Sequence, residues 1–182
     1  MSENPENNMR SDGKTPKMDF AAAGLPEDDV VVVDSCKGGE ICGFDRVYDY
    51  GMRNTNCESA GRVLGMIRKL ADTNTEGRQL DILVVTPFRN QAKIYSAKFR
   101  AMKVGDNITV RASTVHGAQG DEADVVFFDL VDPTNAFLTR KDAAHLWCVA
   151  CSRAREKLVI VDNKAKMAVS PFVAKLMNIK NG

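Results

Sequence analysis

Residues 113–128, STVHGAQGDEADVVFF, join a polar loop containing two glycines directly to the unbroken apolar run Val125–Phe128. Three other runs of the same kind are Val30–Val33, Ile82–Val85 and Leu158–Val161, and Ile108–Val110 is a weaker fifth. A strand that is covered on both faces carries such a run, because neither of its faces meets water. These segments therefore predict the strands of a parallel sheet.

Segments with helical periodicity lie between the predicted strands. Apolar residues recur at spacings of three and four over 58–70, 91–102 and 143–154. Strands that alternate with helices predict an α/β fold with a doubly wound parallel sheet. In such sheets ligands bind beyond the carboxyl ends of the strands. Those predicted ends are Asp34–Ser35, Thr86–Pro87, the segment after Val110, and Asp162–Asn163.

The overall composition restricts the class of protein. The 182 residues include 25 Lys and Arg against 24 Asp and Glu, and hydrophobic residues make up 44%. This balance excludes a globally basic, histone-like binder of nucleic acid and a polyanionic disordered chain. No apolar run approaches the roughly 20 residues that span a bilayer, and the polar amino terminus has no signal core. We therefore expect no membrane association and an intracellular protein, in the nucleus or cytoplasm, whose five cysteines are reduced.

Two segments near the amino terminus imitate nucleotide-binding motifs. We expect residues 1–26 to be a disordered lead and residues 27–182 to form one domain. Within the lead, Gly13-Lys14-Thr15 looks like the end of a Walker A loop, but the preceding strand and the earlier glycine are lacking. Val30–Asp34 looks like a Walker B strand, although a core strand that ends in a capping Asp explains it better.

Three polar blocks accompany the predicted strands. They are residues 85–91 (VTPFRNQ), 113–124 (STVHGAQGDEAD) and 148–155 (CVACSRAR). In the second block, Gly117 and Gly120 let backbone approach a ligand closely, and the neighbouring hydroxyl and amide groups suit phosphate or sugar oxygens. In the third block, Arg153 and Arg155 suit phosphate charge, because a guanidinium is planar, always ionised and bidentate. We expect both arginines beside the ligand edge; plain surface charge is the alternative.

Together these blocks resemble motifs IV, V and VI of the carboxyl-terminal RecA-like domain of superfamily 1 helicases, in the up-frameshift-like group. Residues 86–91 are similar to motif IV, 114–124 to motif V and 149–155 to motif VI; Val30–Asp34, Gly38–Glu40 and Asn56–Ala60 are similar to the first strand, turn and helix. The resemblance extends over about residues 28 to 163. It implies a three-layer RecA-like domain of the P-loop NTPase type, with a mainly parallel twisted sheet and helices on both faces. Walker A and Walker B belong to the amino-terminal RecA-like domain in this family and are not found in this sequence.

The resemblance also implies a role for individual residues. Arg153 would be the arginine finger that reaches the γ-phosphate of ATP, and Arg155 would be a supporting contact or a salt-bridge partner. Glu122 would meet the ribose, and Gly120 would let the loop pass. The nucleic-acid side would comprise Thr86, Pro87, Gln91, Thr114 and His116. ATP and Mg²⁺ would be bound only in a complete two-domain motor, whose amino-terminal domain holds the Mg²⁺.

Two functions of different classes follow from this pattern. The first is the second motor domain of a helicase, which grips single-stranded RNA or DNA and needs an amino-terminal RecA-like domain, in cis or in trans, to hydrolyse ATP. The second is a non-catalytic module that binds single-stranded nucleic acid or another partner, left from a split or truncated helicase. A free-standing nucleotide switch is disfavoured, because the sequence contains no intact phosphate cradle.

Two further groups of residues have competing explanations. Residues 86–103 contain Arg89, Lys93, Lys98, Arg100 and Lys103 and no acid; they form either a solvated helix face or a stripe that attracts phosphates. His145, Cys148 and Cys151 have the spacing of metal ligands, but zinc normally requires a fourth, and small buried thiols on the core face explain the cysteines better. The helicase motif VI usually has Asn, Leu and Thr where this chain has Cys148, Cys151 and Ser152.

Overall fold

The protein is described by a computed structural model that covers residues 18–34, 54–131, 138 and 144–162. Its strands form one sheet in the spatial order β1-β5-β4-β2-β3. They are β1 (Val30–Asp34), β2 (Leu80–Thr86), β3 (Ile108–Thr114), β4 (Ala123–Asp129) and β5 (Ala154–Asp162). All the pairings between neighbouring strands are parallel. The predicted parallel sheet is confirmed, including the weak strand around residue 109.

Three helices occur in the described residues. They are α1 (Cys57–Thr73), α2 (Arg89–Ala101) and α3 (Ala144–Cys151). The helix α1 begins where the Asn56 side chain accepts a hydrogen bond from the Ser59 amide at 3.0 Å, which is the usual way to cap a helix start. The helix α3 ends before the predicted limit of residue 154, so Arg153 leads into β5 and is not part of the helix.

Side chains on the central strands alternate between two hydrophobic layers. Ile82 and Val84 pack with the apolar sides of α1 and α2, whereas Leu83 and Val85 pack with α3. Because both faces are covered, successive residues of a strand must all be apolar. This arrangement confirms the expected RecA-like fold of the α/β class, with helices on both faces of the sheet.

The amino-terminal boundary of the domain differs from the sequence interpretation. Met18, Ala23 and Leu25 are buried in the same layer as α1 and α2, and the Lys157 ammonium donates a hydrogen bond to the Asp28 carbonyl at 2.7 Å. The prediction of a disordered lead is therefore wrong for residues 18–26, and the packed domain includes Met18. A tight turn buries few side chains and leaves no periodic pattern in the sequence. Residues 13–15 and 38–40 lie outside the described residues.

Candidate functional site

The first residues of β4 and β5 lie side by side, and this brings two of the polar blocks together. Ala123 pairs with Ala154, and the Ala123 amide donates to the Arg153 carbonyl at 3.0 Å. The loop that ends at Glu122 and the residue that follows α3 are consequently neighbours. We call residues 120–124 and 153–155 the amino-edge cluster, because they lie where the strands begin.

The Arg153 side chain is half-buried and anchored by protein oxygens. Its Nε donates to the Val149 carbonyl at 3.0 Å, Nη1 to the Asp121 carbonyl at 3.3 Å and Nη2 to the Ser152 hydroxyl at 2.9 Å. A guanidinium has about five N–H donors, so these bonds orient the group and leave two N–H donors for a ligand.

Arg155 is exposed and forms ion pairs with two acids of the same cluster. Its Nε lies 3.5 Å from a Glu122 oxygen and its Nη1 lies 3.3 Å from an Asp124 oxygen. Arg155 is thus ion-paired within the cluster, and its role in a nucleotide site stays a prediction. The Asp124 side chain is only 14% exposed, whereas that of Glu122 is 60% exposed. An exposed pair such as Arg155–Glu122 contributes about 0.2–1 kcal/mol, so Glu122 remains available to a second partner.

Arg111 of β3 braces the loop from the other side. Its side chain is paired with Asp81, and its Nη2 donates to the Glu122 carbonyl at 2.8 Å. Gly120 has φ of +93°, a left-handed conformation that favours glycine. The loop therefore makes its turn at Gly120 and is held in place on both sides.

The position of this cluster corrects one prediction. We expected Arg153 and Arg155 beside the carboxyl ends of the strands, but they lie at the amino ends of β4 and β5. The reason is topological: a helix that precedes a parallel strand must end where that strand begins. The second polar block joins the two edges, because it leaves β3 at Thr114 and enters β4 at Ala123.

The candidates at the carboxyl ends of the strands are less accessible. Thr86 and Gln91 are both 0% exposed, whereas Pro87 and Thr114 are half-buried and His116 is exposed. Direct contact with a ligand requires exposure, which Thr86 and Gln91 lack. Ser35 and Asn163, which were expected at the same edge, lie outside the described residues.

Gln91 instead belongs to a buried network around Asp129. Its Nε2 donates to Asp129 Oδ2 at 2.7 Å, and its Oε1 accepts from the Asn56 amide at 2.9 Å. The same Asp129 oxygen also accepts from Tyr95 Oη at 2.7 Å and from Ser59 Oγ at 3.0 Å. We call the side chains of Gln91, Asp129, Tyr95 and Ser59, together with the Asn56 amide, the carboxyl-edge network; it ties α1 and α2 to the end of β4.

Burial dominates the electrostatics of this network. Removal from water raises the pKa of Asp129 above its usual range, although hydrogen bonds from Tyr95, Gln91, the Val131 amide and Ser59 act in the opposite direction. The pKa of Tyr95 is raised well above its usual value, first by burial and then by the adjacent carboxylate. All four side chains of the network are buried, so it offers no exposed group to a ligand.

Comparison with known proteins identifies the chain. An AAA domain family matches residues 13–165. A protein of Schizosaccharomyces pombe named Helicase sen1 is 36% identical over 104 residues, which are 54% of this chain and 6% of that protein. The chain belongs to this AAA domain family. It is a carboxyl-terminal RecA-like domain of the superfamily 1, up-frameshift-like helicases. The chain thus spans only a small part of the curated relative that it matches.

In this helicase domain the segments that resemble motifs V and VI meet in the amino-edge cluster, whereas the segment that resembles motif IV begins at the carboxyl end of β2. The residues predicted for ATP (Gly120, Glu122, Arg153, Arg155) and those predicted for nucleic acid (Thr86, Pro87, Gln91, Thr114, His116) consequently form two separate groups. Their individual roles stay predictions.

The cysteines of the helicase domain differ from the sequence interpretation. Cys148 is exposed and Cys151 is half-buried, so a pair of buried thiols on the core face of α3 is wrong for Cys148. The cause is the rotational position on the helix: at about 100° per residue, Cys148 is rotated by about 200° from Leu146, away from the side that places Leu146, Trp147 and Ala150 in the core. Burial raises the pKa of Cys151 to about 11, so its thiol is neutral at physiological pH.

Sequence reasoning missed the residues that hold both groups in place. Arg111 and Asp124 brace the amino-edge cluster, and Asp129 organises the carboxyl-edge network. One signal was present: Asp129 directly follows the run Val125–Phe128, as Asp34 follows its own run.

Among the described residues, no helix combines the length and the apolar character needed to cross a membrane.

Proposed function

We propose that this chain is the second motor domain of a nucleic-acid helicase and that Arg153 is its arginine finger. The observation that carries the proposal is the anchored guanidinium, which is oriented by three protein oxygens beside the Gly120 loop. A finger must be positioned before the reaction, since its contribution depends on meeting the charge that develops on the transferred phosphoryl group.

The amino-edge cluster fits a nucleotide in other respects. Glu122, whose side chain is 60% exposed, is the proposed acceptor for a ribose hydroxyl, and Arg155 provides further positive charge. Gly120 has no side chain to obstruct the approach of phosphate oxygens. ATP would supply the phosphoanhydride bond that the motor hydrolyses, with Mg²⁺ held by the amino-terminal RecA-like domain.

The opposite group of residues is the proposed nucleic-acid side. Thr114 and His116 can reach a nucleic-acid strand directly. Pro87, in the segment that resembles motif IV, follows Thr86, which pairs with Thr114. Thr86 and Gln91 act indirectly in this proposal, by fixing the position of that segment from within the protein. Contacts of this kind go mainly to backbone and tolerate any sequence.

The test is an ATPase assay in which the chain is combined with an amino-terminal RecA-like helicase domain that carries Walker A and Walker B. Turnover stimulated by single-stranded nucleic acid is measured for the wild type, for Arg153→Ala and for Arg68→Ala. Arg68 is an exposed arginine of α1 and serves as the matched control. We expect Arg153→Ala to lower turnover by about 10³-fold, and the control to stay within about twofold of the wild type.

Normal turnover by Arg153→Ala would show that the finger assignment is wrong. A different result discriminates the second function: if the combined domains hydrolyse no ATP while the chain binds a single-stranded oligonucleotide, the chain is a non-catalytic binding module.

A further inference from the structure

A second surface of the domain has the chemistry of an anion site. A groove of about 490 Å³ lies between α2 and the outer strand β3. Its polar lining consists of Arg89, Lys93, Ser96, Arg100, Ser113 and Thr114. None of the residues predicted to bind ATP lies here, and of those predicted to bind nucleic acid only Thr114 does.

The three cations of the groove form a stripe along one side of α2. With 100° per residue, positions 93 and 100 are rotated by only about 40° and 20° from position 89, and the stripe is about 16 Å long. Within the described part of the chain, none of these three side chains forms an ion pair. The helix itself contains no acid, so the positive potential of the stripe is not neutralised locally.

The start of α2 adds to this potential. No side chain caps the helix, and its first turn has no acidic residue. Arg89 occupies a position where an acid would complement the helix dipole. A cation at the positive end of a helix is locally unfavourable, and an anion bound there would reverse the penalty.

The β3 side of the groove presents small hydroxyl side chains. Ser113 and Thr114 are half-buried, and the Thr114 hydroxyl accepts from the Gly117 amide at 3.1 Å. A Cβ added at position 117 would approach Ser113 Oγ to 2.6 Å, so glycine allows the turn to fold over these hydroxyls. The remaining lining residues are alanines, which provide no large apolar anchor of the kind that protein partners need.

We propose that the α2–β3 groove binds the phosphodiester backbone of a single nucleic-acid strand. Arginine and lysine neutralise phosphates, and hydroxyl groups donate to their oxygens. The choice of nucleic acid over another polyanion rests on the proposed function and deepens it. Through Thr114 the groove joins the segment that resembles motif V, so a strand held there continues toward His116.

The test measures binding of the 182-residue chain to fluorescent single strands of about 20 nucleotides, one arm with RNA and one with DNA. The groove variant carries Arg89→Gln, Lys93→Gln and Arg100→Gln. The matched control carries Arg62→Gln, Arg68→Gln and Lys69→Gln in α1, so it loses the same numbers of arginines and lysines. Thermal unfolding checks that both variants fold, as expected for surface substitutions.

Affinity is measured from about 50 to 200 mM salt. We expect the groove variant to bind about tenfold more weakly at low salt and its salt slope to fall by about 2, since each lost phosphate contact removes about 0.7 for a single strand. The control should keep the slope of the wild type. Comparison of the wild-type affinities for RNA and for DNA shows which of the two nucleic acids the groove prefers.

Three results would overturn the groove assignment: a wild type that binds neither strand, a groove variant with an unchanged slope, or polyglutamate that displaces the strand equally well per charge. The last would identify a general polyanion surface. The groove is tested by binding of a single strand to this chain, and the arginine finger by ATP turnover of the combined domains, so the two experiments have separate readouts. Failure of the groove therefore leaves the ATPase experiment unaffected, and failure of the finger leaves the groove unaffected.

Discussion

At the carboxyl ends of the strands Gln91 and Asp129 are 0% exposed, whereas at the amino ends the side chains of Glu122 and Arg155 are 60% and 52% exposed. Both groups contain charges and hydrogen bonds, but they differ in their partners. Gln91 and Asp129 bond to each other and to neighbouring helices. Glu122 and Arg155 share one long contact of 3.5 Å. Gln91 and Asp129 are therefore committed to partners within the domain, whereas Glu122 and Arg155 stay accessible to a ligand.

The difference in burial between the two edges shows why a sequence motif alone does not reveal what its residues do. Gln91 and Arg153 both lie in segments that resemble helicase motifs, yet only Arg153 has N–H donors left outside the protein. A buried polar group that loses its partner costs far more than an exposed one, because water cannot replace the lost hydrogen bond. The two edges should consequently respond very differently to substitution.

The largest expected effect on stability is at Gln91. Gln91→Leu removes the buried donor to Asp129 and the part-buried acceptor for the Asn56 amide, so we expect the free energy of unfolding to fall by about 2–4 kcal/mol. Arg153→Gln, the substitution at the other edge, should cost less than about 1 kcal/mol. Urea denaturation of the two variants and the wild type measures both changes.

Equal losses for the two variants would contradict the contrast between the edges. A stable Gln91→Leu variant would show that the carboxyl-edge network does not hold α1 and α2 in place.

The sequence predicted the strands well, because five apolar segments had no other explanation. It failed where the position of a residue depends on the turn or the topology. Arg153 was expected at the wrong edge, since the length of α3 and the direction of the chain after it are not visible in a motif. Gln91 carried no sign of burial, because its partner Asp129 is distant in the chain and only the sheet brings them together. Arg111 was missed because an isolated charge in a strand usually faces solvent.

A smaller effect is expected from pH at Asp129. Because burial raises its pKa in the folded protein, the carboxyl of the unfolded chain ionises first as the pH rises. Its contribution to stability is full below the ordinary pKa of 3.8 and is lost as the pH rises through the folded value. Asp129→Asn cannot ionise. We therefore expect the wild type to lose stability relative to the Asp129→Asn variant as the pH rises above about 4.

Urea denaturation of both proteins at a series of pH values measures this difference, and the other carboxyl groups cancel because they are common to the two. A difference that moved in favour of the wild type with rising pH would mean that the hydrogen bonds of the network outweigh its burial. The hydrogen-bond donors of the carboxyl-edge network would then stabilise the ionised carboxylate of Asp129.

The smallest effect is expected for the pair Glu122 and Arg155. A double-mutant cycle with Glu122→Gln and Arg155→Gln should give a coupling energy below about 1 kcal/mol, and salt should reduce it, because both side chains are exposed and 3.5 Å apart. A larger coupling would mean that Glu122 is committed to Arg155 and cannot accept a ribose hydroxyl. A weak pair is what a nucleotide site requires, since the carboxylate must exchange one partner for another without destabilising the start of β5.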